Sequence, residues 1–197
     1  MRKDMNNLIL VTPTKEHESQ VMEFREEMLK NGEGFYGCSG LNSVSSYDEW
    51  LDFEGRFERL GWTPSDTYLG IRISDGRLIG MIDFRHELSG FLLKYNGQIG
   101  YSVRPSERKK GYACQMLLLL LKKAENFGYK KVLVCCNKAN AQSARVIQKC
   151  GGALENEVVH EFSPPNRPDI IQRYWIETDC NYRKFDTITN SGLSSSK

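Results

Sequence analysis

Residues 97–115 read GQIGYSVRPSERKKGYACQ, and residues 116–128 continue as MLLLLLKKAENFG. The first seven residues alternate like a strand, which Pro105 closes. From 111 to 127 the apolar residues recur as on a buried helix face, with Gly128 near its end. Between strand and helix stand four cations, Arg104, Arg108, Lys109 and Lys110, and then Gly111. A helix N-terminus offers unpaired N–H groups and roughly half a positive charge, so an anion is expected on this loop. Gly111 has no Cβ and Ala113 has a small side chain, so a bulky ligand can approach the backbone there. Neither G-x-x-x-x-G-K-[ST] nor G-x-G-x-x-G occurs, which sets aside the two common nucleotide loops. A solvated charge run is the plain alternative for the cations. The glycine and the strand-to-helix setting favour a ligand.

Upstream, LILV (8–11) reads as a short strand, and Val21, Phe24, Met28 and Leu29 mark one face of a helix over 15–30. A glycine-rich loop, NGEGFYGCSG (31–40), leads to SSYDEWLDFEGRFERLG (45–61). That stretch reads as a helix capped by Ser45 or Ser46, with Trp50, Phe53, Phe57 and Leu60 on one face and Gly61 at its end. The run 67–84 predicts a hairpin turning at Asp75–Gly76. Downstream, KKVLVCCN (130–137) is a buried strand. NAQSARVIQKCGG (140–152) is a helix capped by Asn140 and stopped by Gly151–Gly152. EVVHEF (157–162) and IIQRYWIE (170–177) are two late strands around a proline-bearing connection.

The chain has 197 residues, 40% hydrophobic and 26% charged, with a formal charge of +2. These values describe one globular domain with a real core and give no support to bulk nucleic-acid binding. No apolar run approaches ~18 residues, and Leu8–Val11 is too short for a signal-peptide core, so no membrane association and a cytoplasmic location are expected. The six cysteines form no C-x-x-C pair, so reduced thiols and no metal are expected.

The pattern R-x-x-G-x-A over 108–113, the strand before it, and the later Asn140 with K-x-G at 149–151 together resemble the GNAT superfamily of N-acetyltransferases. The strongest resemblance covers 78–152, and DFRHEL (83–88) resembles a bacterial subgroup without an assigned substrate. The resemblance implies an α/β fold with a mixed, mostly antiparallel sheet flanked by about four helices. Independently of the resemblance, the absence of a linker points to a single domain over 1–184, and the polar NSGLSSSK composition to a disordered tail over 185–197. The resemblance also implies transfer of an acetyl group from acetyl-coenzyme A to a primary amine by direct attack, without a metal. The backbone of Arg108, Lys109, Lys110, Gly111, Tyr112 and Ala113 would cradle the pyrophosphate. Tyr101, Ser102 and Val103 would pair with the pantetheine arm, with the Val103 N–H polarising the thioester carbonyl. Asn140 and Ser143 would lie near the thiol end.

Chemistry at the acceptor is less specified. The tyrosine that serves as acid in many family members is replaced by Ile147. For the base, DFRHEL supplies His86, whose ordinary pKa suits proton traffic, and Glu87, with Asp83 nearby. The acids of 48–54 could attract a cationic acceptor or simply face water. Polyamine, amino sugar, antibiotic and protein terminus all remain open as acceptors, as do a longer acyl donor and a homodimer. A module that binds acyl-coenzyme A without turnover is the alternative reading.

Overall fold

The computed structural model describes residues 7–54 and 63–179. The expected second half of the 45–61 helix, with Phe57 and Leu60, and the expected tail lie outside the described residues. In chain order the elements are β1 (Leu8–Val11), α1 (Glu18–Lys30), α2 (Tyr47–Glu54), β2 (Ser65–Arg72), β3 (Leu78–Arg85), β4 (Ile99–Val103), α3 (Tyr112–Asn126), β5 (Lys131–Asn137), α4 (Ala141–Lys149), β6 (Ala153–Val159) and β7 (Ile170–Glu177). Two departures from the sequence reading are local. A single π-helical turn, Leu92–Asn96, occupies a stretch with no expected element, and β6 begins at Ala153 and ends at Val159, short of Phe162.

Strands β1 to β4 form one antiparallel sheet in sequential order, and β5, β7 and β6 form a second. Strand β3 is apolar on both faces because both are covered. Leu78 and Met81 pack with Val21, Phe24 and Met28 of α1 and Trp50 of α2. Ile79, Ile82 and Phe84 pack with Met116, Leu117, Leu120 and Leu121 of α3. Each such side chain contributes about 1.5–3 kcal/mol by leaving water. Helix α3 lies tight on the sheet: a Cβ on Gly80 would stand 2.4 Å from the Ser102 carbonyl oxygen and 3.1 Å from the end of Met116.

Strands β4 and β5 meet at one point. The Gln98 N–H donates to the Leu133 carbonyl (2.7 Å), and its Oε1 accepts from the Leu133 N–H (2.9 Å). Beyond that tie no ladder joins the two strands, so the expected sheet is present as two sheets that part from Gln98 onward. Gln98 is buried, and its side-chain amide does at the apex what the next ladder rung would otherwise do.

The cationic loop is largely neutralised by the fold. Arg104, 1% exposed, donates from Nε to Glu27 (2.7 Å), from Nη2 to Glu23 (2.7 Å) and from Nη1 to the Leu78 carbonyl (3.0 Å). Arg108 pairs with Glu33 at 2.5 Å, and Lys110 pairs with Glu107 at 2.8 Å. Of the four cations, Lys109 alone has no ion pair among the described residues.

Candidate active site

Where β4 and β5 part, a cleft of about 1740 Å³ opens. Its strand edge follows from register. Arg104 N–H bonds the Ile79 carbonyl (3.0 Å) and Arg85 N–H bonds the Gln98 carbonyl (2.8 Å), while Val103 stands opposite Gly80 and Tyr101 opposite Ile82. Antiparallel alternation therefore turns the N–H and C=O of Ile99, Tyr101 and Val103 away from β3, toward the cleft. Ser102 is out of phase with them. Its backbone faces Met81, and its hydroxyl donates to the Tyr36 carbonyl (2.7 Å), holding the 34–40 loop on β4. So Tyr101 and Val103 present backbone groups to the cleft and Ser102 does not. The Val103 carbonyl is already taken by Arg108 Nε (3.0 Å), which leaves its N–H.

At the wide end lies the loop before α3. Gly111, the N-cap, has φ +88°, and Lys109 has φ +61°. These two left-handed residues curl the chain so that the helix begins without a side-chain cap. A Cβ built on Gly111 meets nothing within 4 Å, so that side is open. Arg108, Lys109, Gly111, Tyr112 and Ala113 line the cleft. Lys110 does not, because its ammonium is turned to Glu107 and the Ser106 carbonyl.

The opposing wall comes from β5 and α4. Asn140 caps α4, its Oδ1 accepting from the Ser143 N–H (3.0 Å), and both residues line the cleft. Ser143 Oγ lies 2.8 Å from the Tyr101 hydroxyl. Burial pushes the Tyr101 phenol above its ordinary range, so it stays protonated at neutral pH. Cys114, in the first turn of α3, also lines the cleft, with the buried Cys150 sulfur 3.0 Å behind it. The hydrogen bond from Cys150 and the charge of Lys149 hold the Cys114 thiol below its usual range against the opposing effect of burial. The five cysteines among the described residues, Cys38, Cys114, Cys135, Cys136 and Cys150, are free thiols.

At the apex stands the Asp83–Arg85 pair, and His86 lies on the other face of the strand. Asp83 Oδ1 accepts from the Gly100 N–H (2.7 Å) and Oδ2 from Arg85 Nη2 (2.8 Å), while Arg85 Nη1 reaches the Gly97 carbonyl (3.1 Å). Burial raises the Asp83 carboxyl above its ordinary value, opposed in part by Arg85. His86 and Glu87 do not line the cleft. Side chains alternate along β3, so Asp83 and Arg85 share the cleft face while Phe84 and His86 share the other. His86 lies edge-on to Phe84 and Phe127, with Nε2 3.1 Å from Asp66. Glu87 is exposed. The period-2 pattern in MIDFRH carries this signal: the core-facing Phe84 places His86 beside it.

Of the acids on α2, Glu49 borders the cleft and Asp48 pairs with Lys15. Three further wall residues, Phe91, Tyr95 and His160, have no motif in the sequence and converge only through the chain's path. Among the described residues no group of three or more His, Cys, Asp or Glu is placed to hold a metal. No helix among them is long and apolar enough to cross a membrane.

The sequence profile of the acetyltransferase (GNAT) domain matches residues 7–153. This chain belongs to the GNAT acetyltransferase family. Solved structures agree in fold. Spermidine N-acetyltransferase SpeG of Vibrio cholerae, in complex with CoA and spermine, superposes with a TM-score of 0.64 at 15% identity, covering 90% of this chain and 98% of that one. The yncA protein of Salmonella typhimurium, solved with its cofactor acetyl-CoA, gives 0.62 at 16% identity, covering 88% and 95%. The sequence matches no curated protein. Within this GNAT acetyltransferase, Ile147 is fully buried in the core, so α4 carries no hydroxyl at that position.

Proposed function

We propose that the protein is an acetyl-coenzyme A-dependent N-acetyltransferase in which a primary amine attacks the thioester directly. One observation carries the reading: a single cleft has a strand edge with free backbone groups, an uncapped helix N-terminus at its wide end and a buried carboxylate at its apex. The residues fit acetyl-coenzyme A. The pyrophosphate would sit on the backbone of 108–113 with Lys109 beside it, the pantetheine arm along Tyr101 and Val103, and the thiol end past Asn140 and Ser143. Neighbours of the same fold, solved with CoA or acetyl-CoA, support that choice.

An alkyl ammonium with pKa near ~10 must lose a proton before it can attack. Asp83 is the carboxylate placed to take it, directly or through one water, and burial moves its pKa toward the working range. The nitrogen bonds to the thioester carbon, and the carbonyl oxygen gathers charge that the Val103 N–H can stabilise. Collapse expels the thiolate, and the nitrogen gives up its second proton to water. The Tyr101–Ser143 hydroxyl pair, protonated and in the same cleft, is the hydrogen-bond donor we assign to the departing thiolate, which leaves as the anion and takes a proton from water. That assignment stabilises the leaving group in the absence of a hydroxyl at Ile147.

The test is release of free coenzyme A thiol from acetyl-coenzyme A across an amine panel, with Asp83→Asn as the variant. Asparagine keeps an acceptor for the Gly100 N–H. Turnover should fall about 100-fold while acetyl-coenzyme A affinity holds. The acid limb of the wild-type pH–rate profile should disappear with it. Saturable acetyl-coenzyme A binding with no turnover on any amine would make the protein a binding module. A fully active Asp83→Asn would move the base elsewhere.

A further inference from the structure

The apex of the cleft has an aromatic wall. The π-helical turn Leu92–Asn96 runs directly into Gly97, whose carbonyl Arg85 holds, and Tyr95 of that turn lines the same cleft as Asp83 and Arg85. The connection between β6 and β7 folds back onto this turn, with the Glu161 N–H donating to the Tyr95 hydroxyl (3.3 Å). His160 thereby lies 4.5 Å from Tyr95 and 5.5 Å from Phe91, centroid to centroid. Phe162 extends the surface, 5.9 Å from His160. Phe91 and Phe162 are 42% and 77% exposed. Large rings left partly in water along a cleft wall mark a surface that gains by covering.

Charge decides what covers it. A ring wall can hold a cation by its π faces, yet this one already has its own: Lys94 Nζ lies 4.9 Å from the Tyr95 centroid and 3.7 Å from Glu161. A second cation at the wall would meet that ammonium. Of the acids in the cleft, Asp83 is paired with Arg85, while Asp169 and Glu49 accept only from neutral donors, the Asn137 amide (2.9 Å) and the Ser45 N–H (2.7 Å), and stand on separate walls. A polyamine laid along the wall would meet both the Lys94 ammonium and the Arg85 guanidinium. A monoamine brings one charge into the cleft beside its acids and leaves only a flat uncharged group against the wall, clear of Lys94.

We propose that the acceptor is an aryl-substituted primary monoamine whose ring seats on Phe91 and His160, with the buried Tyr95 behind them. This rests on the acetyl-transfer reading and narrows it. The experiment compares kcat/KM for phenethylamine, propylamine and spermidine in wild type, Phe91→Ala and Phe91→Tyr. Phenethylamine should exceed propylamine by about tenfold or more, the return for covering a ring. Phe91→Ala should lower that ratio about tenfold, and Phe91→Tyr should keep it. Phe91 is half exposed, so the ratio is read on folded protein, with acetyl-coenzyme A affinity as the check on folding. Spermidine as the better acceptor, or a ratio that Phe91→Ala leaves unmoved, overturns the aryl assignment while acetyl transfer stands. No thiol release from any of the three amines, with acetyl-coenzyme A bound, overturns acetyl transfer to amines and the aryl assignment with it.

Discussion

Replacing Arg104 by methionine keeps an unbranched apolar stem that ends about where Nε stood and removes the charge and the donors. Three losses follow from the structure. The Leu78 carbonyl, inside the core edge, loses its side-chain donor, a deficit of about 1–3 kcal/mol. Glu27, mostly buried, loses a charged donor, which adds roughly 1.5–3 kcal/mol, while the Ser106 N–H still serves its other oxygen (2.7 Å). Glu23 is 59% exposed and turns to water, so its pair contributes about 0–1 kcal/mol. Methionine packing offsets part of this, and the net loss is about 3 kcal/mol, at the lower edge of the range for breaking a buried pair. For a chain of this size that lowers Tm by roughly 6–12 °C, read by thermal and urea unfolding. The pH dependence carries a sign. Burial alone would raise Glu27, but the Ser106 N–H and Arg104 outweigh it and hold the folded-state pKa below the ordinary 4.5. Its contribution is therefore complete above that value and is lost as pH falls through the folded-state pKa. The gap between wild type and Arg104→Met should narrow over that acid range, partially, because Ser106 remains. Acetyl-coenzyme A affinity of the folded variant should equal that of wild type, since the guanidinium faces α1. A Tm loss under about 3 °C, or a large loss of affinity, would refute the account.

Gly111→Val should weaken acetyl-coenzyme A binding at least tenfold by calorimetry, about 1.4 kcal/mol, because its side chain enters open space over the loop at φ +88°; equal affinities would remove the loop from the cofactor site. Cys114 should alkylate ahead of Cys135, Cys136 and Cys150 near neutral pH, with acetyl-coenzyme A protecting it, as followed by peptide mass spectrometry; first reaction at Cys135 or Cys136 would contradict the placement. His86→Ala should keep turnover within about twofold, because the ring packs on Phe84 and Phe127 away from the cleft, whereas a loss of about 100-fold would return the base to His86.

Local rules set a good deal of this protein. Asp75–Gly76 turned the hairpin, Asn140 capped α4, and the strand–loop–Gly111–helix order placed an open helix N-terminus at the end of a strand edge. Those signals depend on neighbours within a few residues, so they survive without knowledge of the fold. The partners of the cations did not. Arg104, Arg108 and Lys110 look alike in RPSERKK, yet Glu27 is 77 residues from Arg104 and Glu33 is 75 from Arg108. Only packing of α1 and its following loop against β4 shows that two of these charges are structural. The apex follows the same division. Alternation in MIDFRH separates Asp83 from His86, but which face becomes the cleft depends on where β4 leaves β5, and that is fixed by the Gln98–Leu133 tie, 35 residues apart. The ring wall is the most remote of all: Tyr95 and the β6–β7 connection meet across 66 residues, and no local pattern distinguishes a phenylalanine that ends at a cleft from one that ends in a core.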